Sequence, residues 1–387
     1  MRKLSVFIVA LLFLNIQPTH AVETLPQPFF NYLNSKYLGD PGVILIDKAS
    51  GEVIYESGST KARTPASVLK LTSAAAIALT LDASTVFKTA IYKTEKRGVF
   101  VIWGENDPWI TSNAKYRDAN KRAYMPKLIK AAFASDKKLK KITLIYKGVN
   151  NSDIYYAKKA LKRRASVAYK PLSKNIEVES LITEKLSEVE SPPLSKMIRF
   201  ALLYSDNVLS QRLAMLATGK NGYPLNKEGL NDMAHEKLTT LGIDTKGMKL
   251  VDGSGLGGSN RISAVTVSQL LLKIRSEPQL KVVYDSLPVG GESGTLIGRY
   301  HTTAPQAVGI VKAKTGSTRH TVSLAGYTSA GEKEYVFVVI ADGVGRTKRS
   351  QNAARSAIDR MLGTITKPVV IGLTPPTVEN NPVAITQ

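Results

Sequence analysis

The stretch 65–82, built almost entirely from small and apolar residues, most constrains how this sequence can fold. Thr64 suits a helix N-cap and Pro65 suits the first helical position, so the sequence predicts that a helix starts here. A helix that is apolar nearly all the way round must be buried. Ser67 and Lys70 then lie one turn apart on one face, as a candidate nucleophile and base. Ser-x-x-Lys is a common pattern, however, and further motifs are needed to support that interpretation.

Residues 1–21 are typical of a Sec-type signal peptide. Arg2 and Lys3 precede the apolar run Leu4–Leu14, which is too short to span a membrane as a helix. No later stretch is long and apolar enough for a transmembrane segment, and the chain contains no cysteine, which excludes disulfides and a lipoprotein anchor. The sequence therefore predicts export to the periplasm or to the extracellular or cell-wall space.

Positive charge is concentrated in one part of the chain. Residues 91–164 hold 19 Lys or Arg against 6 Asp or Glu, an excess of 13 in a chain whose net charge is +22. Such a segment can bind nucleic acid, anionic polymers or a membrane surface, or it can be a solvated face without a partner. For an exported protein, we expect anionic polymers of the cell envelope rather than nucleic acid.

Strand-like segments occur at both ends of the chain, with helical segments between them. We therefore expect one sheet built from both ends, with the basic region inserted as a small α/β unit. The predicted divisions are a main domain (residues 22–90 and 180–365), an inserted basic domain (residues 91–179) and a proline-containing tail (residues 366–387). The predicted strands lie near 42–47, 52–56, 307–314, 321–327 and 334–342.

Three short motifs stand in a fixed order along the chain. They are Ser67-Val-Leu-Lys70, Ser205-Asp-Asn207 and Lys314-Thr-Gly316. A single Lys-Thr-Gly arises often by chance, but the three together, each at an expected helix or strand edge, are far more specific. This trio is found in penicillin-binding proteins and class A β-lactamases.

The residues that flank the three motifs narrow the choice among these classes of protein. With the three motifs, the chain resembles the D-alanyl-D-alanine carboxypeptidase/endopeptidase family of class C low-molecular-mass penicillin-binding proteins, over residues 40–110 and 185–345. The chain departs from that family between Ser67 and Ser205, which are only 138 residues apart, so one accessory domain is lost or reduced. The flanking segments are Arg63-Thr-Pro-Ala, Ser191-Pro-Pro-Leu194, Asp252-Gly-Ser-Gly-Leu256, Leu287-Pro-Val-Gly-Gly, Gly294-Thr-Leu296 and Leu324-Ala-Gly-Tyr327.

The resemblance implies an α/β (α+β) penicillin-binding-protein/β-lactamase-like transpeptidase fold and a serine peptidase that cleaves D-Ala-D-Ala termini or cross-bridges of peptidoglycan. Ser67 would be acylated and Lys70 would be its base, because burial near a second cation, Lys314, lowers a lysine pKa. Ser205 would relay a proton to the leaving amine. Asn207 would hold Lys70 and the substrate amide. β-Lactams would be covalent inhibitors.

The resemblance also implies a substrate-binding strand. Lys314 and Thr315 would bind the terminal carboxylate of the stem peptide. The edge from Lys314 through Gly316 to Ser317 would pair with the peptide as an added antiparallel strand. Backbone N–H groups of Ser67 and Ser317 would form the oxyanion hole.

Alternatives stay open at this point. A class A β-lactamase shares the trio, but no Glu-x-x-x-Asn segment lies between Asn207 and Lys314. A non-enzymatic peptidoglycan-binding or penicillin-sensing protein could keep the fold. No histidine lies in a recognisable Ser-His-Asp context and no His/Cys cluster is present, so we expect neither metal nor cofactor. Asp206 and the glycine-rich turn 251–258 are interpreted as structural.

Overall fold

The fold is described from a computed structural model, which covers residues 25–120, 122–161, 166–173 and 175–366. The expected signal peptide (1–21) and all but the first residue of the expected tail (366–387) lie outside the described residues. The strands are β1 (Gly42–Asp47), β2 (Val53–Ser57), β3 (Lys88–Lys93), β4 (Val99–Gly104), β5 (Lys141–Lys147), β6 (Ser166–Pro171), β7 (Lys185–Glu190), β8 (Lys312–Ser317), β9 (Val322–Ala330) and β10 (Lys333–Ala341).

The helices divide between the two ends of the chain and the segment between them. They are α1 (Gln27–Leu33), α2 (Lys70–Ala78), α3 (Ala114–Asn120), α4 (Met125–Ser135), α5 (Asn151–Leu161), α6 (Leu194–Leu203), α7 (Asn207–Lys220), α8 (Lys227–Thr240), α9 (Ala264–Ser276), α10 (Lys281–Asp285) and α11 (Lys348–Ile365). In the part of the chain that the structure describes, no helix is long and apolar enough to cross a bilayer.

An antiparallel sheet in the order β2-β1-β10-β9-β8 joins the two ends of the chain. Alternate residues of a strand face opposite sides of a sheet. Ile44 packs in a core with α2, α6, α7, α8 and α9, whereas its neighbours Val43 and Leu45 pack in a second core with α1 and α11. Helices therefore cover both faces, and the predicted fold class is confirmed.

A second sheet is formed entirely by the intervening segment. Its order is β6-β5-β4-β3-β7, with parallel pairing between β4, β5 and β6 and antiparallel pairing of β3 with β4 and β7. It has its own apolar core, to which α4 and α5 contribute. The strands of this sheet begin at Lys88 and end at Glu190. The division of the chain at residues 91 and 179 stays a prediction.

The central helix differs from the prediction in its start. Ala66–Leu69 form a turn of 3₁₀ helix, and α2 then spans only Lys70–Ala78, with every residue buried. The predicted N-cap at Thr64 is wrong, because the Thr64 hydroxyl accepts a hydrogen bond from Arg261 and its N–H donates to Asp342. Ala66 has φ +52°, which breaks the backbone from regular helix just before Ser67.

Candidate active site

Ser67 is held on a strained turn. Ala66 before it has the left-handed φ of +52°, which costs energy in any residue with a Cβ and is maintained by surrounding contacts. One such contact is the Ser323 hydroxyl on β9, which donates to the Pro65 carbonyl at 2.6 Å. Ser67 is thereby positioned in the 3₁₀ turn that precedes α2, beside the edge strand β8.

Lys70 connects three separate parts of the site. Its Nζ lies 2.8 Å from Ser67 Oγ, 2.7 Å from Asn207 Oδ1 and 2.6 Å from the Ser254 carbonyl oxygen. The side chain is only 1% exposed. Burial lowers the pKa of Lys70 to about 8, although the carboxylates of Asp252 and Asp206 act in the opposite direction. Lys70 can therefore lose its proton near neutral pH.

The glycine-rich turn 251–258, interpreted from the sequence as structural, also contributes a group to the candidate site. It supplies the Ser254 carbonyl that accepts from Lys70, and this role was missed. Asp252 holds the turn by accepting from the N–H groups of Ser254, Gly255 and Gly257, at 2.7, 2.8 and 2.7 Å. A Cβ at Gly255, which has φ +79°, would overlap the Ala66 carbonyl. The one available signal was the resemblance of the segment starting at Asp252 to a family flank.

The Ser205-Asp-Asn207 motif lies at the junction of α6 and α7. Ser205 has φ +56°, and Asn207 is the first residue of α7. The Asp206 side chain caps that helix by accepting from the Leu209 N–H at 2.7 Å. This contact supports the structural role predicted for Asp206, while its two neighbours make the contacts to lysine side chains.

Lys314 on β8 also contacts this motif, at Ser205. It is fully buried, and its Nζ donates to Ser205 Oγ at 3.0 Å and to the Thr315 carbonyl at 2.9 Å. Burial and the nearby cation of Lys70 lower the pKa of Lys314 well below its usual range. The pair Lys314 and Ser205 thus lies close enough to the pair Lys70 and Ser67 for the two lysine charges to interact.

The three predicted substrate-binding residues continue this edge strand. The Thr315 hydroxyl donates to the Thr295 hydroxyl at 2.8 Å, and Ser317 Oγ accepts from Arg355 at 2.9 Å. A Cβ on Gly316 would overlap Ser323 Oγ and lie 2.7 Å from the Pro65 carbonyl oxygen and 3.1 Å from the Ser67 nitrogen. Glycine therefore lets β8 lie directly against the nucleophile turn.

The structure brings together all five predicted catalytic residues. Ser67 and Lys70 form a hydrogen-bonded hydroxyl–amine pair, and Lys314 and Ser205 form a second one. When neutral, Lys70 can donate to Asn207 and Ser254 and keep its lone pair for the Ser67 hydroxyl. This arrangement can activate a serine for acyl transfer, with β8 as an edge for an extended peptide.

Comparison with known proteins supports the resemblance seen in the motifs. The D-Ala-D-Ala carboxypeptidase 3 (S13) family matches residues 175–365. The chain is 28% identical over 367 residues to carboxypeptidase DacB of Mycolicibacterium smegmatis, an alignment that covers 82% of this chain and 80% of that protein.

Solved structures agree on the fold. Penicillin-binding protein 4 (dacB) of Haemophilus influenzae superposes with a TM-score of 0.68 at 17% identity, over 85% of this chain and 98% of that one. A penicillin G-acylated predatory endopeptidase from Bdellovibrio bacteriovorus, in complex with its immunity protein, superposes with a TM-score of 0.55 at 16% identity, over 86% and 94%. The fold and the resemblance expected from the motifs are confirmed: residues 175–365 of the chain match the D-Ala-D-Ala carboxypeptidase 3 (S13) family of serine-type hydrolases.

Proposed function

We propose that this carboxypeptidase-family hydrolase cleaves D-Ala-D-Ala termini or D-Ala-linked cross-bridges of peptidoglycan through an acyl-enzyme at Ser67. The observation that carries the proposal is the 2.8 Å contact between Ser67 Oγ and Lys70 Nζ, an amine whose pKa burial lowers to about 8. A serine hydroxyl becomes a useful nucleophile only when a neighbouring base takes its proton. Lys70 is such a base in its neutral form.

The reaction follows from the contacts at the site. Neutral Lys70 takes the Ser67 proton as Oγ attacks the carbonyl carbon of the scissile amide. The developing oxyanion would lie at the backbone N–H groups of Ser67 and Ser317. The proton passes by way of Ser205 to the leaving amine, the C–N bond breaks, and an ester at Ser67 remains. Water then attacks that ester, the bond between the acyl carbon and Ser67 Oγ breaks, and the shortened peptide leaves as a carboxylate while the Ser67 hydroxyl is restored.

Substrate binding would use β8, the last strand of its sheet. An extended peptide can pair with Lys314–Ser317 as an additional antiparallel strand. The Lys314 ammonium and the Thr315 hydroxyl would bind the terminal carboxylate, since charged hydrogen bonds of this kind are among the strongest in proteins. A carboxylate next to Lys314 also favours the protonated form of that lysine, so binding and charge would be coupled.

β-Lactam binding is part of the same proposal. The Bdellovibrio structure similar to this chain is acylated by penicillin G. A β-lactam presents an amide carbonyl and a carboxylate, the two groups that Ser67 and Lys314 would engage. No Glu-x-x-x-Asn segment lies between Asn207 and Lys314, so the acyl-enzyme should be long-lived rather than hydrolysed as in class A β-lactamases.

The deciding experiment is covalent labelling with a fluorescent penicillin, followed by mass spectrometry of the labelled peptide. We expect one label on Ser67, release of D-alanine from a peptide ending in D-Ala-D-Ala, and loss of both in Ser67→Ala. Ser276→Ala, which replaces an exposed serine away from the motifs, is the matched control and should keep both. An unlabelled parent protein would instead favour a non-enzymatic binding or sensing role.

We also propose that the basic segment 91–164 binds anionic polymers of the cell envelope. Lysines exposed in this segment cluster on α4 and along the turn that leads into β5. Their number and density support electrostatic attraction to a polyanion, which salt screens. The clustered lysines are Lys127, Lys130, Lys137, Lys138, Lys140 and Lys141.

Binding to isolated sacculi as a function of salt tests this second proposal. Replacing four of the clustered lysines by glutamine should weaken binding at low salt and flatten its salt dependence. The matched control replaces four exposed lysines outside the segment and should bind like the parent. Salt-independent binding of the parent would contradict the proposal. The test set is Lys127, Lys130, Lys137 and Lys138, and the control set is Lys220, Lys227, Lys246 and Lys249.

Export is the third part of the proposal. The basic start, apolar run and small residue near position 21 support cleavage of residues 1–21 and action in the periplasm or the extracellular or cell-wall space. N-terminal sequencing of the protein recovered from the envelope fraction tests it. An N-terminus near residue 22 is expected, and an intact Met1 in a cytoplasmic fraction would contradict the proposal.

A further inference from the structure

One side chain of the intervening segment reaches the Ser205-Asp-Asn207 motif. Arg122, which follows α3, places Nη2 3.2 Å from Asp206 Oδ2. The Arg122 side chain is 1% exposed, and the Asp206 side chain is 15% exposed. An ion pair so far from water is weakly screened, and removal of one partner leaves an uncompensated charge.

Aromatic rings fix the direction of this arginine. Its guanidinium lies over the Trp109 ring at 4.6 Å and over the Phe200 ring at 5.5 Å from the ring centroids. Trp109 and Phe200 themselves pack edge to face at 5.2 Å, and they join the intervening segment to α6. Arg122 is thus held in one position by both parts of the chain.

The position of Asp206 affects two residues of the active site, Ser205 and Asn207. Asp206 caps α7 through the Leu209 N–H, and it lies between Ser205 and Asn207 in the chain. Ser205, with φ +56°, is held in a conformation that its surroundings must maintain. Asn207 Oδ1 accepts from Lys70 at 2.7 Å, so a shift of Asp206 would change the contacts of that base.

A second arginine holds α7 further along. Arg212 donates to the Ile110 carbonyl at 2.7 Å and pairs with buried Asp153 at 2.8 Å. Both partners of Arg212 belong to the intervening segment. The helix that begins with Asn207 is therefore bound to that segment in its middle by Arg212, and at its cap by Arg122.

We propose that Arg122 is a positioning residue for the peptidase reaction, which holds Asp206 and through it Ser205 and Asn207 in the geometry that acylation of Ser67 requires. The segment between the two halves of the sheet would thus complete the active site from outside the three motifs. This inference rests on the proposed function of Ser67 and Lys70.

Because Arg122 is charged, its loss should change the pKa of Lys70, which a merely structural role would not do. The Asp206 carboxylate raises the pKa of Lys70, and Arg122 offsets that carboxylate. Loss of Arg122 should therefore leave Lys70 protonated up to a higher pH. Other groups act on these residues: Arg212, Asp153 and Tyr116 near Arg122, Asp252 near Lys70, and Lys70 itself on Lys314. All of these groups are retained when only Arg122 is replaced.

The test compares the rate of acylation by fluorescent penicillin over a range of pH in the parent, Arg122→Met and Lys115→Met. Met keeps much of the length and apolar contact of arginine without its charge. We expect Arg122→Met to lower the rate at neutral pH about 10- to 100-fold, as for misplacement of reacting groups by about 1 Å. The acid limb of its profile should move to higher pH. Lys115→Met removes an exposed cation of α3 and should match the parent.

A double-mutant cycle with Asp206→Asn separates this role from a general loss of stability. Asn can still cap α7 but carries no charge, so Arg122→Met should move the pH profile little in that background. Arg122→Lys, which keeps a cation, should restore part of the rate. Labelling of the parent at Ser67 establishes the reaction independently. An unchanged pH profile in folded Arg122→Met, or equal shifts in both backgrounds, would overturn the proposal.

Discussion

Lys314 is fully removed from water, and this burial, together with the nearby cation of Lys70, lowers the pKa of Lys314. Two ammonium groups in one desolvated site repel each other, so the free site favours loss of a proton from the pair. An incoming carboxylate raises the pKa of Lys314 again, because its negative charge stabilises the protonated lysine. The two lysines can therefore have different roles, with Lys70 as the base and Lys314 as the group that binds the carboxylate.

These different roles predict that the effect of Lys314→Ala on the acylation rate depends on the substrate. Loss of the ammonium should reduce acylation by a carboxylate-bearing peptide or penicillin by about 100-fold, the value of a charged hydrogen bond of 2–3 kcal/mol. Acylation by a neutral ester that lacks the carboxylate should fall less. Rates for both substrates, measured on the same preparations, provide the comparison. Equal losses would show that Lys314 does not anchor the carboxylate.

Acylation should rise with pH through the titration of Lys70. Burial lowers the pKa of this group to about 8, and only its neutral form can accept the Ser67 proton. The rate should therefore be low at pH 6, rise about tenfold per pH unit and level off above pH 8. Stopped-flow acylation between pH 6 and 10 measures the profile, and thermal unfolding over the same range controls for stability. A flat profile would exclude Lys70 as the titrating base.

Much of the fold and most of the residues that meet at the candidate site could be predicted from the sequence, because they depend on local patterns. The stretch after Ser67 is apolar enough to require burial. In the strands at the two ends of the chain, alternate residues pack into the two cores on opposite faces of the sheet. The order of Ser67–Lys70, Ser205–Asn207 and Lys314–Gly316 matches a known trio. The structure adds that their polar side chains lie within hydrogen-bonding distance of one another.

The remaining features depend on contacts between residues far apart in the chain. The Ser254 carbonyl is a backbone group, and no residue type signals its role toward Lys70. Arg122 lies in a segment rich in cations, and only its contact with Asp206 distinguishes it from the others. Thr64 looked like a helix cap because the sequence does not reveal that Arg261 and Asp342 bind it instead.

Gly316 should tolerate no side chain. A Cβ there would overlap Ser323 Oγ and crowd both the Pro65 carbonyl and the Ser67 nitrogen. Gly316→Ala should therefore separate β8 from the nucleophile turn and reduce acylation about 100-fold, as misplacement by about 1 Å can do. Gly298→Ala is the matched control, because a Cβ at that position meets nothing within 4 Å. Near-parent labelling of Gly316→Ala would show that the close approach of strand and turn is not needed.

Asp252→Asn should change the pH dependence of acylation in the opposite direction to Arg122→Met. The Asp252 carboxylate raises the pKa of Lys70, so its replacement by a neutral amide should move the acid limb of the profile to lower pH. The same substitution removes an acceptor, since Asp252 Oδ2 accepts from both Gly257 and Asn260. Loss of such hydrogen bonds costs about 1–3 kcal/mol of unfolding free energy.

Thermal unfolding and pH-dependent labelling of the Asp252→Asn protein separate these two effects. Lower stability with an acid limb displaced to lower pH is the expected result, because the turn is weakened while the base loses its proton more easily. Asp244→Asn gives a comparison, because Asp244 is an exposed carboxylate that is not among the groups shifting the pKa of Lys70. An acid limb displaced equally in both proteins would mean that Asp252 does not act on Lys70 through its charge.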